Sequence, residues 1–236
     1  MPNGNLLCCN GPSLTIFSKH LKELKVVEQF DFEKFNCLYA TTDKKKLIYL
    51  TNRDSHEVII TDLELNKLSS TGNKGSFDNQ FNCPEDIFYY KAKIYICDHF
   101  NKRIQVLNED LSFDSRFQVE SYPSQIRITK NLCCITATSS IYYYDLKSFN
   151  MKIKHSMHGA GRLSLLADTY FYKYLSFNGV KFKIFNNEGQ LVEDVQAVGE
   201  LTNFIDDWSD GCLVNFNGKI LISSYNHSKL VVTDEY

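Results

Sequence analysis

The sequence predicts an all-β fold: a six-bladed β-propeller of four-stranded antiparallel blades, forming one domain over residues 1–236, with the first and last blades incomplete. Three observations predict it. Fourteen Tyr and 17 Phe stand among 236 residues that are 43 % apolar, and aromatic and β-branched side chains suit a pleated, half-buried surface. A strand–turn–strand unit recurs along the chain. The recurrences are spaced 37 to 48 residues apart, and a period in the forties with about four strands per unit is the pattern of propeller blades, which bury their faces only by stacking on neighbours.

The clearest unit runs Pro84-Glu85-Asp86-Ile87, then Lys93-Ile94-Tyr95-Ile96-Cys97-Asp98, then Arg103-Ile104-Gln105-Val106-Leu107. It reads as strand, turn, strand, polar loop, strand. The last two strands return at Leu47 to Asn52 with Glu57 to Ile60, and at Lys219 to Ser224 with Lys229 to Val232. The loop between them has the same length in all three: Arg53 to His56, His99 to Lys102, Tyr225 to Ser228. Weaker copies of the final strand lie at Leu14 to Phe17, Ile141 to Tyr144 and Phe182 to Phe185. The first apolar residues of these strands, Leu14, Val58, Ile104, Ile141, Phe182 and Leu230, anchor six blades. In the fourth the loop shortens to Ala137 to Ser140.

At the chain ends the pattern predicts missing strands. Leu6 to Cys9 reads as a second strand, with Asn3-Gly4 where the preceding turn belongs, so the first blade lacks its innermost strand. The sequence stops just after a third strand, so the last blade lacks its outermost. The expectation is a piece of a longer protein whose upstream segment supplies both strands and closes the ring. Without it, sheet edges stay open and invite aggregation or dimerisation.

Residues 72 to 111, from Gly72-Asn73-Lys74-Gly75 through Asp98-His99-Phe100-Asn101-Lys102-Arg103-Ile104, resemble one nearly complete NHL repeat. Asn101 and Ile104 stand for the family's outer letters, and Lys102 replaces its His. The blades anchored at 58 and 230 match in part, and the fourth lacks the Asp-x-x-Asn-x-Arg core. The resemblance is to the propeller at the C-terminal end of tripartite-motif (TRIM-NHL) ubiquitin ligases. It implies a recognition module that binds protein clients, including substrates for ubiquitination, or single-stranded RNA. No Cys/His array of a RING finger accompanies it.

Asp98, Asn101 and Arg103 are expected to brace their blade, the carboxylate pairing with the guanidinium at the next strand's start. The loops between second and third strands and the inter-blade loops emerge on one face of a propeller. That face places Arg53, His56, His99, Phe100, Lys102, Tyr225 and His227 as candidate ligand contacts. The plain alternative for each is a solvated loop residue. Asn82, Tyr122 to Ser124, His155 to Arg162 and Asp206 to Gly211 are expected on the same face.

A formal net charge of −2 gives no basic footprint of the kind nucleic-acid binders show. A protein partner is therefore preferred, with RNA as the alternative and no DNA. No run approaches the roughly 18 apolar residues of a membrane span. Neither a signal peptide nor a C-x-x-C pair occurs among the eight cysteines, so a reducing, cytoplasmic setting with buried free thiols is expected. His155 and His158 are three apart, but a metal site needs three or four convergent ligands, so no metal or cofactor is expected. G-x-S-x-G elbows and phosphate loops are absent. An enzyme with a metal on the propeller axis, like the amidating lyase or a lactonase, is the reading opposed to a binding module.

Overall fold

The computed structural model describes residues 6–10, 13–18, 20, 22–27, 39–43, 47–138, 140–157, 161–166, 169–176, 179–196, 213–216, 219–224 and 229–234. Their strands form six antiparallel sheets in chain order. The first holds β1 (Leu6–Asn10), β2 (Ser13–Phe17) and β3 (Glu23–Val27). The second holds β4 (Ala40–Thr42), β5 (Ile48–Asn52), β6 (Glu57–Thr61) and β7 (Lys67–Thr71). The third holds β8 (Pro84–Tyr90), β9 (Lys93–Asp98), β10 (Arg103–Asn108) and β11 (Phe113–Gln118). The fourth holds β12 (Pro123–Thr129), β13 (Leu132–Ala137), β14 (Ser140–Asp145) and β15 (Met151–Ser156). The fifth holds β16 (Gly161–Leu166), β17 (Thr169–Ser176), β18 (Gly179–Phe185) and β19 (Leu191–Gln196). The sixth holds β20 (Leu213–Phe216), β21 (Lys219–Ser224) and β22 (Lys229–Asp234).

Every described sheet is a meander, each strand pairing with its neighbour in sequence. The anchors Val58, Ile104, Ile141, Phe182 and Leu230 lie in the third strands β6, β10, β14, β18 and β22, and Leu14 lies in β2. Among the described residues the first and sixth sheets have three strands and the others four.

Contacts divide the chain into two compact units, residues 1–126 and 127–236. In the second and third sheets the middle strands β5, β6, β9 and β10 are buried along nearly their whole length, on both faces. Ile48 and Leu50 of β5 face Leu14 and Ile16 of β2, together with Ile59. Tyr49, between them in sequence, points the opposite way and joins Ile87, Ile94 and Ile96 of the third sheet around Phe81. The two-residue period of a strand thus feeds two cores at once. The outer strands carry one polar face: β7 is mostly exposed, and β15 alternates exposed with half-buried positions.

In the second unit Leu132, Cys134, Ile141 and Tyr143 pack with Met157 and Phe185. Gly189 adopts φ +81° at the turn before β19, where an added Cβ would lie 2.8 Å from the Tyr143 ring. Cys97, Cys133 and Cys134 are buried, and burial pushes the thiols of Cys133 and Cys134 up. His155, expected on an inter-blade loop or at a strand end, stands near the end of a strand. It belongs to β15, opposite Ile141, with Nε2 2.9 Å from the Gly189 carbonyl and its ring against Tyr143 and Phe185.

Candidate functional site

The site is built on a clamp at the end of β9. Asp98 is fully buried. Its Oδ2 accepts from Arg103 Nε at 2.7 Å and Asn101 Nδ2 at 2.9 Å, and its Oδ1 accepts from the Asn82 amide at 2.7 Å. A carboxylate surrounded by donors offsets the cost of its own burial. Arg103, also buried, spends its remaining donors on the loop leading into β8. Nη1 reaches the Ser76 carbonyl, and Nη2 reaches those of Phe77 and Gln80. Asn101 Nδ2 also donates to Gly75 O, and Gln105 Nε2 to Gln80 O. Side chains of one β-hairpin thereby fix residues 75–82, a stretch with almost no regular pairing of its own.

The clamp presents a short 3-10 turn, His99–Asn101, closed by Lys102 in the left-handed region at φ 52°. Two backbone bonds hold it: the Phe100 amide donates to Asn82 O, and the Val119 amide to Lys102 O. His99 Nδ1 lies 3.0 Å from the Pro123 carbonyl. That oxygen can only accept, so Nδ1 carries the proton. Above this floor three rings touch. His99 meets Phe100 edge-on with centroids 4.7 Å apart, and Tyr122 lies 5.5 Å from His99 and 6.0 Å from Phe100. Lys102 Nζ sits 4.7 Å above the Tyr122 ring, a cation–π distance. Phe100 is 48 % exposed and Tyr122 38 %, so the cluster ends in two half-open aromatic faces.

Beneath the rings lies Glu85 of β8. Its carboxylate is 3.6 Å from His99 Nδ1 and 4.0 Å from Arg53 Nη2. Burial raises its pKa above the usual carboxylate range, although His99, Arg53 and a hydrogen bond from Ser124 pull the other way. The neighbouring Asp86 turns inward and accepts from the amides of Ile87 and Ile126. His56 is half-buried; its Nδ1 accepts from the Cys83 amide at 2.9 Å.

The structure therefore brings Arg53, His99, Phe100 and Lys102 to one place and sets His56, on the loop between β5 and β6, against the turn that precedes β8. Tyr225 and His227 lie outside the described residues, as do residues 206–211 and His158. Sequence reasoning missed Glu85 as a site residue and Tyr122 as the seat of Lys102. The available signal for Glu85 was two successive acids opening an otherwise apolar strand. Among the described residues no group of three or more His, Cys, Asp or Glu is placed to hold a metal ion, and no helix is long and apolar enough to cross a membrane.

No family model matches the sequence, and no curated protein matches it. Solved structures do. The chain is similar to hydrazine synthase of Kuenenia stuttgartiensis, with a TM-score of 0.70 at 12 % identity over 99 % of this chain and 74 % of that one. The WD40 domain of Neurospora crassa Pan2 gives 0.65 at 12 % identity, over 98 % and 76 %. Virginiamycin B lyase of Staphylococcus aureus, solved with quinupristin, gives 0.65 at 11 % identity, over 95 % and 78 %. Identities this low speak to fold alone. With its four-stranded antiparallel sheets, the chain has a β-propeller fold.

Proposed function

We propose that this chain is a recognition module of the NHL-repeat kind, in which residues 1–236 form one six-bladed propeller that binds a protein partner through its loop face. The observation that carries the reading is the cluster of His99, Phe100, Tyr122 and Lys102, half-open and held on buried hydrogen bonds. Aromatic rings on a rigid frame lose little entropy on binding and make effective anchors. The nearby charges are mixed: Arg53 and Lys102 stand with Glu85, and Lys74 and Asp54 both act on His56. A phosphate backbone would want a surplus of cations, and this balance supports protein over RNA.

A pull-down from lysate, with and without nuclease, tests the proposal. Phe100→Ala and Tyr122→Ala are each expected to cost about 2 kcal/mol of binding, roughly thirty-fold in Kd and seen as lost recovery, the usual loss at an interface anchor. Melting should stay unchanged. Capture that survives both substitutions would overturn the reading, and capture that vanishes with nuclease would move it to RNA. The single-domain part has its own check. Calorimetry should give one transition whose calorimetric and van't Hoff enthalpies agree, whereas two resolved transitions would divide the chain.

A further inference from the structure

We infer that His56 is an acid-sensitive latch for the recognition loop: its neutral ring holds the Cys83 amide, and protonation releases the Asn82–Cys83 turn. The direction of one hydrogen bond fixes the state of the His56 ring. A backbone N–H can only donate, so His56 Nδ1, 2.9 Å from the Cys83 nitrogen, must present a lone pair. The ring is then neutral, with its proton on Nε2. A proton on Nδ1 would set two donors against each other. His99, on the same surface, is the opposite case. Its Nδ1 donates to Pro123 O, so the two histidines present opposite hydrogen-bonding roles at the same ring position.

The turn that His56 holds is unusual and well connected. Cys83 has φ 53° and His56 itself φ 60°, a region L residues seldom occupy. The Asn82 amide donates to Asp98 Oδ1, and the Asn82 carbonyl accepts from the Phe100 amide. Thus the bond from His56 reaches the turn that seats the most exposed ring of the cluster. Beyond it the chain enters β8, which carries Glu85.

The charged groups facing His56 are Lys74 on the loop before β8, Asp54 on its own loop and Asp98 at the end of β9. Burial and Lys74 lower its pKa below the usual 6.5, against the opposing pull of Asp54 and Asp98. A folded-state pKa below the unfolded one means the latch contributes fully above pH 6.5. The contribution is lost as pH falls through the lowered value. The latch is therefore shut at neutral pH and opens in acid. Its effect on ligand binding rests on the recognition reading proposed above, while the latch itself does not.

NMR of the full chain tests both parts. At neutral pH the His56 Nδ1 resonance should be that of an unprotonated nitrogen. As His56 titrates, protection of the Cys83 amide, corrected for the intrinsic exchange rate, should fall at least tenfold. Amides of β9 and β10 should stay protected. His56→Asn places an acceptor where Nδ1 was, tolerates the positive φ and does not titrate; it should keep Cys83 protected at both pH values. In the pull-down, wild-type recovery should fall with the His56 titration and flatten in His56→Asn. Protonation of His56 with unchanged Cys83 protection, or a protonated Nδ1 at neutral pH, would overturn the latch. Absence of any captured partner at any pH would overturn the recognition reading and leave the NMR result standing.

Discussion

Asp98→Ala is expected to destabilise the chain by about 3–5 kcal/mol, the loss found when one partner of a buried ion pair is removed. The side chain is fully buried, and Arg103, 3 % exposed, would keep its charge without the carboxylate that balances it. Asn82 and Asn101 would lose an acceptor in the same step. In a chain of this length the cost corresponds to a fall in Tm of roughly 6–20 °C. Asp98→Asn, which keeps the size and one acceptor oxygen, should lose less. Thermal and urea melts check both variants. A Tm within a degree of wild type for Asp98→Ala would show that the clamp does not support the fold.

Gly72→Ala should be nearly as damaging, for a backbone reason. Gly72 has φ +115°, and an added Cβ would lie 2.7 Å from the His56 carbonyl oxygen and 2.8 Å from the Phe81 ring. The first neighbour is backbone and the second a fully buried anchor of the core, so neither can step aside cheaply. Strain at a conformation reserved for glycine and overpacking together should cost roughly 2–5 kcal/mol. The same change at Gly75, where the close neighbour is the flexible Gln80 side chain, should cost clearly less. Equal losses at the two positions, read by urea denaturation, would count against this account.

The middle strands were legible because burial on both faces admits polar residues only where they find partners. Ile48 to Leu50 and Ile94 to Ile96 had to be apolar without interruption. The outer strands were harder. Lys67 to Thr71 and Met151 to Ser156 carry the polar alternation that any solvated segment can show, so the sequence left His155 between a loop and a strand end. The candidate cluster was legible in outline, since loop length alone put Arg53 and His99 in equivalent places. Its chemistry was not. Glu85 and Asp86 are adjacent acids with opposite surroundings, and an irregular pairing register between Pro84 and Ile87 breaks the alternation that would have told them apart. Hydrogen-bond direction, which separates His56 from His99, has no sequence signal at all.

The meander order within each sheet carries a consequence for how the chain matures. No described strand waits for a partner made much later, so pairings close over short stretches of chain, the condition for fast folding. On a ribosome the sheets could assemble in the order in which they emerge. The third sheet, complete once Gln118 is free, brings its polar clamp with it, since Asp98, Arg103 and the carbonyls to which Arg103 donates all lie between residues 75 and 103. The clamp is thus local in sequence and can close as soon as β10 has been made, before the later sheets exist.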